Sequence, residues 1–298
     1  VALVAARRRG DGDAHARLLT RLETVDPLSH QARLEGLLAR RDPALLTKLA
    51  VGIRSELPEQ VLLDLAAWYV DVGDVEVAQR ALEAAGDQPE ALYWRAYLLG
   101  GAGAAQSRET GGAATDSLVE LANARSPRLV FPFRPEIVPA LEWAAKRTPN
   151  WKPRYYLALA YWNAGRTADA ARMFGALADQ PDYAPVYAAR AAFPGREAAD
   201  ARRDLERAAA LEASEWRYGK LLAEQYLASG DAKAAADVAR SYYARFPANY
   251  ILGLTLAKSL VAAGGYREAD ALLAKLEVLP YEGAGEAHRT RESSEFAL

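Results

Sequence analysis

Cysteine is absent from this chain of 298 residues, which removes disulfide frameworks, thiolate metal sites and cysteine nucleophiles together. Methionine occurs once and histidine three times. His15, His30 and His288 are so far apart that a three-histidine metal site would need distant parts of the chain to meet. Neither sign of charge is in excess, with Lys+Arg 37 against Asp+Glu 39, so neither nucleic acid nor a membrane surface is an expected partner. No apolar run approaches the roughly 18 residues of a membrane span. The opening VALVAARRR puts its arginines after its apolar stretch, the reverse of a secretory signal. A cytoplasmic location is the corresponding expectation.

The sequence also lacks the common catalytic and cofactor motifs. It has no G-x-x-x-x-G-K-S/T loop, no G-x-G-x-x-G between a strand and a helix, no H-E-x-x-H and no G-x-S-x-G elbow. Carboxylate pairs such as Asp11 with Asp13, or Glu292 with Glu295, fall in turn or solvated-helix contexts. No enzymatic activity, metal or cofactor is expected.

What is present is alanine and repetition. Apolar residues make up 51% of the chain, and few β-branched runs accompany them, which favours closely packed helices over sheets. WKPRYYLALAYWNAGRTADAARMFGALADQP from Trp151, WRYGKLLAEQYLASGDAKAAADVARSYYARFP from Trp216 and YILGLTLAKSLVAAGGYREADALLAKLEVLP from Tyr250 share one frame. Each has an apolar helix, a glycine turn (Gly165, Gly230, Gly264), an alanine in the next helix (Ala170, Ala235, Ala269) and a closing proline (Pro181, Pro247, Pro280). The frame recurs upstream through Leu65, Ala66, Tyr69, Gly73, Ala78 and Leu82, and a degraded copy turns at Gly10 and stops at Pro27. Between the clear copies, PVYAARAAFPGREAADARRDLERAAALEA keeps only the helix-turn-helix outline.

The step from Gly230 to Gly264 is 34 residues, and the frame resembles that of the tetratricopeptide-repeat (TPR) family. The resemblance covers most of the chain. It implies an all-α fold, a right-handed α-solenoid of about seven to nine helical hairpins. It also implies a concave groove lined by the first helix of each repeat. Carried onto this chain, the groove positions are Gln60, Leu63, Ala67, Val70 and Asp71, then Lys152, Tyr155, Leu159, Trp162 and Asn163. Arg217, Lys220, Glu224, Leu227, Ile251, Leu254 and Lys258 follow. Tyr155 and Trp162 beside Asn163 and Lys152 offer aromatic anchors next to hydrogen-bonding groups, a pattern suited to peptide capture. They could equally pack on the preceding helix. A protein, a peptide or an adjacent domain of the same protein is the implied partner.

Two segments break the period. Residues 100–117, GGAGAAQSRETGGAATDS, have no apolar periodicity and read as a surface loop. RSPRLVFPFRP, residues 125–135, carries too many prolines for a helix. Phe131 and Phe133 alternate along it, which suggests an extended connector that buries both rings between helical blocks; the competing reading has Phe133 and Arg134 protruding to meet a ligand. The expected organisation is repeats over 1–99, an irregular connector over 100–134 and repeats over 135–298, in one superhelix. A start at Val1 and a helical close at RESSEFAL suggest a segment of a longer protein. VFPFRPEIVPALEWA, NWKPRYYLALAYWNAGR and LPYEGAGEAHR further resemble the TPR regions of large bacterial proteins in which a galactose-mutarotase-like β-sandwich precedes the repeats. That implies a carbohydrate-related parent protein, with this segment packing on the β-sandwich.

Overall fold

The computed structural model describes residues 1–41, 44–101, 111–276 and 284–297. Among them the regular structure is helical, and the chain divides into two compact units, Val1–Ala178 and Asp179–Leu298.

In the first unit, α1 (Ala2–Arg8), α2 (Gly12–Val25), α3 (His30–Ala39) and α4 (Leu45–Gly52) precede the hairpin of α5 (Pro58–Asp71) and α6 (Val75–Ala84). The hairpin of α7 (Pro89–Gly100) and α8 (Gly111–Ala124) follows. A 3-10 turn (Pro135–Ile137) then leads to α9 (Val138–Arg147), α10 (Trp151–Asn163) and α11 (Thr167–Ala176). The second unit consists of α12 (Ala184–Ala191), α13 (Ala198–Leu211), α14 (Trp216–Ala228), α15 (Ala232–Arg245), α16 (Tyr250–Ala262), α17 (Tyr266–Leu273) and α18 (Ala284–Phe296). Helices pack on their neighbours in chain order, the arrangement of an α-solenoid.

The repeat frame explains the hairpins. Gly73, Gly165, Gly230 and Gly264 have φ between 71° and 81°, the left-handed turn that lets a helix end and reverse at little steric cost. Ala78, Ala170, Ala235 and Ala269 are each 0% exposed, because a methyl group is all that fits where two axes approach. Asp74, Asn150, Asp231 and Asn249 accept backbone N–H groups at the starts of α6, α10, α15 and α16. The degraded repeat is held by charge as well as by fit: Arg190 on α12 and Asp204 on α13, both buried, pair at 2.5 Å.

The expected loop over 100–117 is half corrected. Residues 111–124 form α8, with Thr115, Val119 and Ala122 buried; residues 102–110 lie outside the described part. Small residues are an asset here, since a Cβ on Gly100 would lie 3.0 Å from Thr115 Cγ2. Tertiary packing overrides weak periodicity.

A polar cluster organises the N-terminal helices. Glu35 on α3, fully buried, accepts hydrogen bonds from Arg7 Nε (2.8 Å) on α1 and Tyr69 OH (2.8 Å) on α5, and His15 Nε2 on α2 lies 3.0 Å away. Arg7 also donates to Asp74 at 2.5 Å. A buried carboxylate is tolerable only with such partners.

Candidate functional site

The connector is extended and alternating, with a phase opposite to expectation. Val130 and Arg134 are 4% and 6% exposed, whereas Leu129, Phe131 and Phe133 are 74%, 64% and 51% exposed. The staple that would bury Phe131 and Phe133 is therefore overturned, and in the competing reading Phe133 protrudes but Arg134 does not. Arg134 sets the phase: its Nε donates to Asp64 Oδ1 (2.7 Å), its Nη1 to Gln60 Oε1 (2.7 Å) and its Nη2 to the Gln60 carbonyl (3.0 Å), all on α5. A shift of one residue would bury the rings but pull the guanidinium out of these bonds. Asn163 Nδ2 on α10 donates to the Phe133 carbonyl at 3.2 Å. Gln60 and Asn163, both expected groove positions, thus hold the chain's own extended segment.

The central aromatic group belongs mostly to packing. Tyr155 is 6% exposed, with its ring against those of Trp151 and Tyr156 at 6.1 and 5.8 Å. Trp162 meets Phe174 of the following helix edge-on at 6.1 Å, and Leu159 is half-buried. Lys152 Nζ donates to the carbonyls of Asn123 (2.6 Å) and Arg125, closing the C-terminal end of α8.

In the second unit the same frame gathers five expected residues around one opening. Lys220 and Glu224 on α14 and Ile251, Leu254 and Lys258 on α16 line a cleft of about 330 Å³, with Tyr250, Thr255 and Glu286 of α18 completing it. Lys220 Nζ pairs with Glu224 at 2.7 Å along one helix, and Lys258 pairs across helices with Glu286. Burial holds the Lys258 ammonium below the ordinary lysine range; Glu224 opposes this, while Lys220 and Arg289 add to it. An adjoining hollow of about 320 Å³ shares Lys258 and Glu286 and adds Arg289. Arg217 stands apart, paired with Glu215 at 2.9 Å and stacked 4.8 Å from the Trp216 ring.

Glu286 was missed at the level of sequence, where the repeat step marks its helix but not the residue. Helices α14, α16 and α18 begin at Trp216, Tyr250 and Ala284, equal steps of 34 residues, so AGEAHRTRESSEF occupies the first-helix place of a third repeat. Its polarity hides it from an apolar template.

Two lysines and two glutamates border this cleft together with Ile251 and Leu254. Among the described residues no group of three His, Asp or Glu could hold a metal ion, and no helix is long and apolar enough to cross a membrane.

No family model matches the chain, and no curated protein matches it. Among solved structures it is similar to yeast Tom70, with 13% identity over 96% of this chain and a TM-score of 0.42. It spans 59% of the Tom70 chain. It is also similar to the P58(IPK) TPR domain, at 15% identity over 99% of this chain and 86% of that one, with a TM-score of 0.32. Acl4, an assembly chaperone of RpL4, is 15% identical over 91% of this chain and 96% of its own, with a TM-score of 0.31. These are likenesses of helical outline, and the hairpin architecture rests on the packing within this chain.

Proposed function

We propose that this chain is a non-enzymatic scaffold of TPR-type hairpins that recognises a protein or peptide through the cleft between α14, α16 and α18. One observation carries the reading: Lys220, Glu224, Ile251, Leu254 and Lys258, the groove positions that the TPR resemblance implies, line a single cleft. Lys258 and Glu286 already hold each other there, so a partner would exchange that ion pair for its own charges. The test is capture of partners by the wild type beside a Lys220→Ala/Lys258→Ala variant whose helicity is checked by circular dichroism. A partner retained in full by the folded variant would remove this cleft from recognition.

A second reading, packing against an adjacent domain such as a carbohydrate-related β-sandwich, is supported by the exposed row Leu129, Phe131 and Phe133. Joined to such a domain, this chain would lose exposure at these three residues in hydroxyl-radical footprinting. Unchanged labelling would remove that interface.

A further inference from the structure

The first unit contains a second opening that the groove pattern does not assign. It has a volume of about 410 Å³ between α1, α3, α4 and α6. Leu38, Leu45 and Val77 supply apolar walls, and Arg7, Arg41 and Arg80 bring three guanidinium groups to it. Two of these are matched by carboxylates: Arg7 by Glu35 and Asp74, Arg80 by Glu76 at 2.7 Å, with Glu76 itself on the cleft wall. Arg41 has no ion-pair partner among the described residues.

The backbone at Arg41 lies in the left-handed region, as it does at Ala178 past the C-cap of α11. Arg41 is the first residue past the C-cap of α3 and has φ 47°. The equivalent residues after α1, α5 and α6 are Gly10, Gly73 and Gly86, with φ 74°, 75° and 69°. An arginine therefore stands where the neighbouring turns use the residue that adopts this conformation without strain. Arg41 differs from Ala178 in that its side chain lines a cleft.

We propose that this cleft binds an acidic segment of a protein partner. A carboxylate sits between Arg41 and Arg80, and a neighbouring apolar side chain rests on Leu38, Leu45 and Val77. The surface lies in the first unit and is separate from the cleft around Lys258.

Fluorescence anisotropy tests it, using the whole chain and a fluorescein-labelled peptide of alternating leucine and glutamate. A control peptide carries glutamine for glutamate. The glutamate peptide should bind saturably and at least about tenfold tighter than the control, a difference of one charge-assisted contact. Arg41→Gly should weaken binding about fivefold or more while raising Tm by roughly 1 to 3 °C, since it relieves the turn. Lys258→Ala should leave this binding unchanged, which separates the site from the proposed groove. Equal binding of both peptides, unaltered binding by the folded Arg41→Gly chain, or no saturable binding would each overturn the proposal. Binding of inorganic phosphate without the glutamate peptide would overturn it in favour of a phosphate site.

Discussion

The ring of Tyr242 occupies the space that a side chain at Gly219 would need: a Cβ there would lie 2.2 Å from Tyr242 Cγ. The relationship recurs 34 residues along the chain, where a Cβ on Gly253 would meet Leu276 Cδ2 at 2.5 Å. Both glycines are the fourth residue of a first helix, and both partners come from the end of the second helix or just beyond it. Glycine inside a helix costs about 0.5 to 1 kcal/mol. Here the contact it permits offsets that cost, and it joins the two helices of a hairpin without an intervening side chain.

Gly219→Ala should therefore destabilise the chain despite alanine's better helix propensity. Propensity returns at most about 1 kcal/mol, whereas overpacking against a ring costs about 1 to 3 kcal/mol. Urea denaturation should show a net loss, and a Tyr242→Ala background should abolish it. A gain in stability in the otherwise unchanged chain would mean that the ring moves aside freely.

Glu35→Leu should be among the most damaging single substitutions in the first unit. It removes the acceptor shared by Arg7 and Tyr69 and the acidic neighbour of His15, leaving buried polar groups unmatched. A loss of about 3 to 5 kcal/mol in chemical denaturation is expected. A loss under about 1 kcal/mol would show that the cluster does not organise these helices.

The repeat made much of this legible. Glycine turns at Gly165, Gly230 and Gly264, and the buried Ala170, Ala235 and Ala269, stand in the structure as the frame places them, because those residues act through local sterics. The connector was not legible, since its phase depends on Arg134 finding Gln60 and Asp64, more than sixty residues away in the chain. The second half of α8, LVELANA, reads as a helix from sequence, whereas its first half, 111–117, was hidden by small residues whose value is close approach to α7. The buried surroundings of Tyr155 and Trp162 likewise depend on which neighbours arrive. In the second unit, by contrast, repeat position brought Lys220, Glu224 and Lys258 together without help from distant sequence.

Glu90 supplies a pH dependence. Burial, as the largest influence, raises its carboxyl above the ordinary carboxylate range, against the Gln88 hydrogen bond, the charge of Arg134 and Gln60. The folded chain therefore holds this proton more tightly than the unfolded one. The stability it contributes is fully present below the unfolded value and is lost as pH rises through the folded value. Glu90→Gln should gain stability relative to wild type as pH is raised across that window. Equal pH slopes for the two chains would contradict the assignment.

The connector's phase makes paired substitutions informative. Phe131→Ser should change stability by no more than about 0.5 kcal/mol, as at other exposed positions. Val130→Ser should cost roughly 1 to 2 kcal/mol, through lost apolar burial and a buried hydroxyl. Thermal melts of the two chains would check the order, and the reverse order would place Phe131 on the inner face.

Among the described residues, the main helix pairings of the second unit join elements that are adjacent or next but one along the chain. Such contacts close small loops, so the search for them is short, and folding of this unit should fall in the microsecond-to-millisecond range typical of helical domains. Neighbour-only coupling also means that a lost hairpin interface weakens the next one without abolishing the rest. Amide exchange should then proceed hairpin by hairpin, with separate opening rates along α12 to α18 in place of one rate for the whole unit.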